Sequence, residues 1–358
     1  MALLFMDSFD HYATEDITEK WTGVTPDPTK VAIGAYGRNG TQGVKVPSAY
    51  AYTCLYATVL GGVDEAIIGV AIKPAKFTGT LGTSGIVMFG SALAWECGLY
   101  LHTDLTVQPF RVTAGPYVPG YELGAGNFTL IGSASAVALQ VGVFAYLEVQ
   151  MKCANAPDGT CTVRINGTEV LALTGLDTLY TSATLSRIGL ACGYNNNTVM
   201  DYDDLVVMDT TGAVNNAFLG DVTISALLPS GAGTTSGWTP SAGSNYQNVD
   251  EALVNDDTDY NSTSTLNAKD TYAMANVAAG ADIRAVQIVT AQRKGAEGPG
   301  KIKHVVRSGG TDYDLTEQGI GGTTYSFLRS VVETDPATAA AWSESGFNAV
   351  EIGIKKTG

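Results

Sequence analysis

The chain has 358 residues, of which 42 are glycine and only 15% are charged, and its formal net charge is −15. Apolar residues make up 45% of the sequence, which is enough for a packed core and argues against disorder. Nucleic-acid backbones and anionic lipid are bound through clustered lysine and arginine, so the acidic balance excludes nucleic acid and membranes as partners. An acidic surface suits an exterior, solvated position, although it is also what any soluble acidic protein presents.

The amino-terminal residues show no targeting segment. An apolar stretch over residues 1–6 is ended by Asp7, and no basic residue precedes it. The stretch is too short for the core of a signal peptide, and no later run approaches the length that spans a membrane. We expect the protein to be made and folded in the cytoplasm.

Residues 1–212 are predicted to form one β-strand after another. Residues 146–149 alternate cleanly, with Tyr146 and Glu148 on one face and Leu147 and Val149 on the other. Asn166-Gly167 is the two-residue signal of a tight type I′ hairpin, with Val163 and Ile165 pointing inward before it. Further strand candidates lie at 49–59, 66–73, 86–90, 97–102, 169–173, 186–194 and 200–209. This pattern predicts an antiparallel two-sheet sandwich.

A short polar segment at 210–216 separates a second region, and we predict domains at 1–212 and 213–358. The second region is also predicted to be β-rich, with a loop of glycine, serine and threonine around 230–237 and a short helical turn near 337–343. Its strand candidates lie at 218–228, 283–293, 302–307, 324–332 and 349–355. The predicted fold class is therefore all-β, a large sandwich followed by a smaller one.

Five cysteines are present without regular spacing, which does not indicate a disulfide framework. Cys153 and Cys161 flank a short loop between two strand candidates. They either face one another across that hairpin as a disulfide or serve as small buried core residues, and the sequence leaves both readings open.

The residues that commonly form catalytic sites do not occur in a recognisable pattern in this sequence. Asp201 and Asp203 share a strand face but lack the glutamate partner of a glycosidase pair. Aspartates cluster at 201–204 and again at 256–259, and neither cluster matches an EF-hand. The aspartates of 256–259 either bind a cation as a loop or form a turn rich in aspartate and asparagine. The three histidines, at 11, 102 and 304, have no partner at metal-ligand or triad spacing. We predict no catalytic residue, no metal ligand and no cofactor.

Tyrosine is the one abundant residue type that suits a ligand surface, since exposed rings stack on sugars. Tyr117, Tyr121, Tyr194 and Tyr202 lie in or near predicted loops and are the candidate carbohydrate contacts. The alternative is ordinary packing in a tyrosine-rich sandwich.

The run 146–208 resembles the last strands of the concanavalin A-like (laminin G-like) jelly roll of many phage virion proteins. The segments that carry the resemblance are 146–149, 163–170, 187–190 and 202–207. Residues 6–12, 20–21, 215–222, 238–240, 249–251 and 255–260 extend it to nearly the whole chain. The sequence is thus similar to a two-domain family of tailed-bacteriophage structural proteins.

The resemblance implies a location in the virion and a concanavalin A-like jelly roll followed by a smaller β-sandwich. We therefore expect a non-enzymatic structural protein on the exterior of the particle, as a spike, fibre or decoration element. The alternative is a receptor-binding adhesin that recognises host surface polysaccharide. The expected partners are other virion proteins, further copies of the chain (a trimer by family analogy) and a host glycan.

Overall fold

The computed structural model describes residues 2–25, 27–48, 53–77, 85–92, 94–114, 127–192, 198–296 and 298–358. The chain divides into two compact units, Met1–Ile224 and Ser225–Gly358. The division falls beyond the predicted boundary at Gly212 because the segment that follows stays bonded to unit 1. The amide of Gly220 donates to Glu148 over 2.8 Å, and the amide of Ile224 donates to Asp204 over 2.6 Å.

Unit 1 contains fifteen described strands and one short helix. In chain order the strands are β1 Leu3–Asp7, β2 Gly23–Thr25, β3 Ala32–Gly34, β4 Gly43–Pro47, β5 Thr53–Val63, β6 Glu65–Phe77, β7 Gly85–Gly90, β8 Trp95–Leu101, β9 Val107–Val112, β10 Phe128–Leu130, β11 Ala145–Lys152, β12 Gly159–Ile165, β13 Thr168–Leu176, β14 Leu185–Cys192 and β15 Thr198–Asp209. The helix α1 spans Ile17–Lys20, and 3₁₀ turns occupy Thr14–Asp16, Pro28–Lys30 and Arg38–Gly40.

These strands form two antiparallel sheets. The eight-stranded sheet has the order β13-β12-β11-β6-β15-β4-β3, with β1 also paired to β15. The seven-stranded sheet has the order β10-β9-β8-β7-β14-β5-β2. Consecutive strands β4 to β7 alternate between the two sheets, so most neighbours within a sheet are distant in sequence.

The core of unit 1 lies between the sheets. Val149, Val163 and Ile68 are fully buried and share the inner face of the eight-stranded sheet, as their cross-strand pairing requires. The hairpin between β12 and β13 turns at Asn166 (φ 50°) and Gly167 (φ 75°), both left-handed as a type I′ turn demands. The hairpin predicted from Asn166-Gly167 is confirmed.

Unit 2 is smaller and is also built from antiparallel strands. They are β16 Pro229–Ser236, β17 Thr239–Pro240, β18 Asn261–Ser262, β19 Lys269–Met274, β20 Val286–Gln292, β21 Lys301–Ser308, β22 Thr311–Asp314, β23 Gln318–Gly319, β24 Ser326–Val332 and β25 Glu351–Lys356. A 3₁₀ turn spans Asn245–Asn248, and helix α2 spans Glu344–Phe347.

A six-stranded sheet in the order β16-β19-β25-β21-β22, with β23 on β21, is the main layer of unit 2. The pair β20-β24 contributes Ile288 and Val332 to a core that also holds Val306, Trp342 and Phe347. The pair β17-β18 forms a separate two-stranded sheet. The all-β fold class predicted from the sequence is confirmed.

Several local predictions differ from the structure. The glycine-, serine- and threonine-rich segment 230–237, expected to be a loop, forms the edge strand β16, while most of 218–228 is not a strand. The helical turn lies at Glu344–Phe347 and not at 337–343. No helix of the described residues combines the length and the apolar character needed to cross a membrane.

All five cysteines are free and buried. Cys161 pairs across the hairpin with Met151, two residues before Cys153, so the two cysteines are not directly opposite each other. Of the two interpretations of Cys153 and Cys161, a disulfide or small buried core residues, the structure shows free thiols buried in the core.

Candidate functional site

The seven-stranded sheet carries an aromatic face, on the side opposite to the eight-stranded sheet. Successive side chains of a strand point to opposite faces, and Cys97 of β8 approaches Cys153 and Cys161 of the other sheet, so its neighbours Glu96 and Gly98 point away. The buried members of the aromatic face are Cys54, Met88, Ala94, Trp95, Phe110, Val112 and Ala191, and the half-buried members are Tyr56, Tyr100, Phe128 and Tyr180.

Glycines in the sheet make room for the large rings of this face. A Cβ atom on Gly189 would lie 2.6 Å from the sulfur of Cys54 and 2.9 Å from Trp95. A Cβ atom on Gly98 would lie 2.9 Å from the ring of Phe110. Both contacts are shorter than packed atoms tolerate, so larger residues at these two positions would displace the rings.

Arg187 is the buried cation of the aromatic face. It is 6% exposed, and its guanidinium carbon lies 4.9 Å from the centre of the Trp95 ring. Its Nε and one terminal nitrogen have no hydrogen-bond acceptor among the described residues. Burial lowers the pKa of Arg187, and the nearby groups of Cys54, Tyr56 and Glu96 act in the opposite direction. The guanidinium is therefore a desolvated donor with unused capacity.

Tyr56 of β5 borders the same part of the face. Its ring packs edge-on to Trp95, with centroids 6.4 Å apart, and it is close enough to Arg187 for the two groups to interact electrostatically. The phenol lies over Gly23, where a Cβ atom would come within 2.8 Å of the hydroxyl oxygen. No described residue forms a hydrogen bond with that hydroxyl in the structure. A free phenol beside a cation can transfer protons.

Glu96 holds the segment that carries Tyr180. Its carboxylate is fully buried and accepts hydrogen bonds from the amides of Tyr180 (3.0 Å) and Thr181 (2.6 Å), and from the Thr181 hydroxyl (2.6 Å). Because both of its oxygens are used in this way, Glu96 has a positioning role and is not a free acid.

A second aromatic group lies toward the other end of β8. Tyr100 stacks on Phe128 with centroids 5.6 Å apart, and His102 meets the edge of Tyr100 at 5.0 Å. His102 Nε2 is 2.8 Å from Gln108 Oε1, so one ring nitrogen is engaged. Burial raises the pKa of Tyr100. Among the residues that the structure describes, none contributes a guanidinium to the ring contacts at this end of the face, which is suited to uncharged ring contacts.

The four tyrosines predicted to contact carbohydrate do not form the site that the structure describes. Tyr117, Tyr121 and Tyr194 lie outside the described residues. Tyr202 is fully buried, and its hydroxyl donates to the backbone oxygens of Ile86 (2.9 Å) and Ala191 (2.6 Å), so it presents no ring to a sugar. That prediction is wrong for Tyr202, because β15 is a central strand and not a loop.

The tyrosines that do border the face were missed. Tyr56 belongs to a run in which small and aromatic residues alternate, and that alternation was the available signal. In the sequence, Arg187 stands out only as part of the segment 187–190 that contributes to the family resemblance. An arginine two residues before a glycine, in an otherwise apolar strand, could have identified it as the polar residue of a tightly packed face.

The aspartates considered for catalysis or calcium have protein partners. Asp201 pairs with Lys73 at 2.9 Å, and Asp204 pairs with Arg38. Asp203 accepts from the amide and hydroxyl groups around it, including the Arg38 amide at 2.9 Å and the Thr41 hydroxyl at 3.0 Å. In unit 2, Asp257 pairs with Arg293 at 2.6 Å. No group of three or more metal-ligating side chains occurs within the described ranges.

No family model and no curated protein matches this sequence. Among solved structures, the chain is similar to the endo-β-1,4-glucuronan lyase of the fungus Trichoderma reesei (12% identity, TM-score 0.41, 57% of this chain and 94% of that one). It is also similar to the alginate lyase of Aplysia kurodai (8% identity, TM-score 0.44, 58% and 99%) and to alginate lyase Aly36B (13% identity, TM-score 0.39, 56% and 92%).

These comparisons overturn the expectation of a non-enzymatic structural protein, because the solved structures similar in fold include polysaccharide-degrading enzymes. At such low identity the likeness concerns the fold and assigns no activity to this chain. The expectation rested on the resemblance to phage structural proteins and on the lack of a carboxylate pair or histidine triad in the sequence. A face built from arginine, tyrosine and tryptophan needs neither, so their absence from the sequence did not exclude an enzyme.

Proposed function

We propose that this chain is a carbohydrate-active enzyme that holds an acidic polysaccharide on the aromatic face and cleaves it by β-elimination beside a uronate residue. The observation that carries the proposal is Arg187, a guanidinium that is 6% exposed and has two donor nitrogens without an acceptor in the described structure. Leaving a buried donor unsatisfied costs about 1–3 kcal/mol, and more when the group is charged. An incoming carboxylate would supply the missing acceptors and neutralise the charge.

The surroundings of Arg187 narrow the ligand to a sugar acid. The Trp95 ring packs on the guanidinium and Tyr56 lies near it, while Tyr180 packs against the same cluster. Rings of this kind pack against the apolar faces of pyranoses. A simple inorganic anion would use the cation but not the rings. A uronate residue of a polysaccharide uses both.

Elimination is the reaction that such a site can support without a metal or a carboxylate pair. Arg187 would pair with the uronate carboxylate and stabilise the negative charge that develops when the neighbouring carbon loses its proton. Tyr56, acting as the phenolate, would take that proton. The electron pair of the C–H bond then forms a carbon–carbon double bond as the bond to the glycosidic oxygen breaks. The Tyr56 phenol gives the proton to the leaving oxygen and becomes the phenolate again, so one product chain gains an unsaturated uronate end and the other a hydroxyl group.

A decisive experiment compares binding and cleavage in the full chain. We expect alginate and polyglucuronate to bind, dextran to bind much more weakly, and the ultraviolet absorbance of unsaturated uronate ends to increase with time. Arg187→Met is expected to abolish polyuronate binding, and Tyr56→Phe to abolish cleavage while retaining binding. Polyuronate binding that survives in Arg187→Met would refute the assignment of the site. Binding without any unsaturated product would refute the elimination.

The location of this activity is a second part of the proposal. The resemblance to tailed-phage proteins supports a place on the virion, assembly with other virion proteins and formation of a homo-oligomer. On a phage particle, an enzyme for acidic polysaccharides would act on a host surface glycan. Detection of the chain in purified particles by mass spectrometry tests this part, and its absence from them would contradict it.

A further inference from the structure

Unit 2 contains a small cavity that the function proposed for unit 1 does not use. It has a volume of about 230 Å³ and lies between the edge strand β16 and the 3₁₀ turn Asn245–Asn248. Its lining includes Thr235, Ser236, Asn245, Tyr246 and Tyr272. Since a water molecule occupies about 30 Å³ of liquid, the cavity has room for one pyranose ring and little more.

An irregular strand pairing opens this cavity. Ala232 of β16 pairs with Tyr272 of β19, but the next pair is Ser236 with Asp270, so four residues of β16 span two of β19. The extra residues break the regular register of the pair. Gly233 still lies against β19, since a Cβ atom there would come within 2.4 Å of the Thr271 carbonyl oxygen, so only glycine fits at this close approach.

A buried carboxylate fixes the opposite wall. Asp270 is fully buried and accepts hydrogen bonds from the amides of Gly237 (2.6 Å) and Trp238 (2.8 Å). It also accepts from the Asn245 side chain (2.5 Å) and the Tyr272 hydroxyl (3.1 Å). Asn245 and Tyr272 are thereby held in position without a ligand, so the cavity is preformed.

The lining identifies the class of ligand. It contains hydroxyl and amide groups and two tyrosine rings, but no lysine, arginine or histidine. The side-chain hydroxyls of Thr235, Ser236 and Tyr246 form no hydrogen bond with any described residue. Two carboxylates adjoin the lining: Asp270 accepts from the Tyr272 hydroxyl, and Glu351 accepts from the Thr271 hydroxyl at 2.6 Å. A carboxylate or sulfate would therefore meet acidic groups and no cationic side chain among the described lining residues, whereas an uncharged polyol would meet free hydrogen-bonding groups and a ring.

We propose that this cavity is a binding site for a single uncharged sugar ring, separate from the acidic-sugar site of unit 1. Tyr246 supplies the stacking ring and a hydroxyl, and Ser236 and Thr235 supply hydrogen bonds from the edge strand. The site consists only of residues of unit 2, so a test of it is independent of the role proposed for Arg187.

Saturation-transfer NMR on the full chain tests this site with glucose, galactose, N-acetylglucosamine and glucuronate as probes. The Arg187→Met background removes the proposed acidic-sugar site. We expect saturation transfer to at least one neutral sugar and none to glucuronate. Tyr246→Ala, which removes the ring, and Ser236→Trp, which fills the cavity, should each weaken binding about tenfold or more. Tyr260→Ala is the matched control, because Tyr260 is 42% exposed and lies outside the lining.

The absence of saturation transfer to all three neutral sugars would overturn the proposal. So would equal binding in the parent, Tyr246→Ala and Ser236→Trp proteins, or binding of glucuronate in the Arg187→Met background. Loss of polyuronate binding in Arg187→Met, with neutral-sugar binding retained, would support both sites independently.

Discussion

The Arg187 guanidinium lies 4.9 Å from the centre of the Trp95 ring, and the two residues are joined only through the pairing of β14, β7 and β8. Trp95 covers one side of the guanidinium and Gly90 leaves space beside it, since a Cβ atom at Gly90 would come within 2.9 Å of Arg187 Nε. The sheet thus holds a cation in an apolar setting and leaves two of its donor nitrogens without an acceptor among the described residues. Stability measurements can separate a ligand-binding role of this cation from a structural one.

Replacing Arg187 with methionine is expected to leave the free energy of unfolding unchanged or raise it by about 1 kcal/mol. Relief of the unpaired donors is worth about 1–3 kcal/mol, and loss of the cation–π contact costs about 0.5–2 kcal/mol. Urea unfolding measures the difference. A loss of more than about 2 kcal/mol would mean that Arg187 serves the fold, contrary to its assignment as a ligand-binding residue.

Gly189→Ala is expected to destabilise the chain by about 1–3 kcal/mol, because the new methyl group overlaps Cys54 and Trp95 in a packed face. The same change should weaken polyuronate binding by displacing Trp95. Gly61→Ala is the matched control, since no atom lies within 4 Å of its Cβ position, and it should stay within about 0.5 kcal/mol of the parent. Thermal and urea unfolding of the two variants make the comparison, and equal stabilities would contradict the packing argument.

Asp203 makes stability depend on pH. Burial, and secondarily the charge of Asp204, raises the pKa of Asp203 from 3.8 to about 7. The native state therefore holds a proton that the unfolded chain has released, so this contribution to stability is complete below about pH 4 and is lost as the pH rises to about 7. Asp203→Asn should flatten that slope in urea unfolding at several pH values. Asp64→Asn, at an exposed position, should keep it, and an unchanged slope in Asp203→Asn would refute the assignment.

Asp7 and Lys20 form a buried ion pair, with 2.8 Å between Nζ and Oδ1 and side-chain exposures of 0% and 1%. Asp7 also accepts from the Tyr12 hydroxyl at 2.7 Å and from the Trp21 indole at 2.8 Å. Asp7→Ala is expected to cost about 3–5 kcal/mol, because it leaves a buried ammonium without its carboxylate. A double-mutant cycle with Lys20→Met should show that the double variant loses less than the sum of the single variants. Simple additivity would show that the pair is not coupled.

The five thiols are expected to resist labelling in the native chain. All are at most 1% exposed, and burial raises the pKa of Cys161 to about 12, so few thiolates are available to react. Ellman's reagent should modify no cysteine rapidly under native conditions and five after unfolding in denaturant. Three or fewer reactive thiols in the unfolded, unreduced chain would indicate an intrachain disulfide, with Cys153 and Cys161 as the first pair to examine by peptide mapping.

Much of the fold could be predicted from the sequence because its signals are local. A period of two over 145–152, and an Asn-Gly pair that tolerates positive φ at 166–167, define β11, β12 and the hairpin without reference to the rest of the chain. The same reasoning failed at 230–237, where glycine and serine indicated a loop. There the neighbouring strand β19 supplies the hydrogen bonds, and pairing across the sheet outweighs local propensity.

The candidate site could not be predicted from such local signals. Tyr56, Trp95 and Arg187 belong to β5, β8 and β14, and nothing in a strand's own pattern states which strand will lie beside it. Both faces of the seven-stranded sheet are largely apolar, so the alternation of buried and exposed residues could not show which side of β14 Arg187 would occupy.

The sequence by itself determined that the chain is built from β-strands, where one hairpin turns, and that the acidic balance is unfavourable for nucleic acid. Those properties follow from local backbone preference and from summed charge. Only the tertiary structure decided that Tyr202 is a buried core residue and that Arg187 stacks on Trp95 with two donor nitrogens that have no acceptor among the described residues. It also decided that a preformed cavity interrupts β16. Each of these depends on long-range strand pairing, through which the packed sheets bring distant residues together and withdraw them from water.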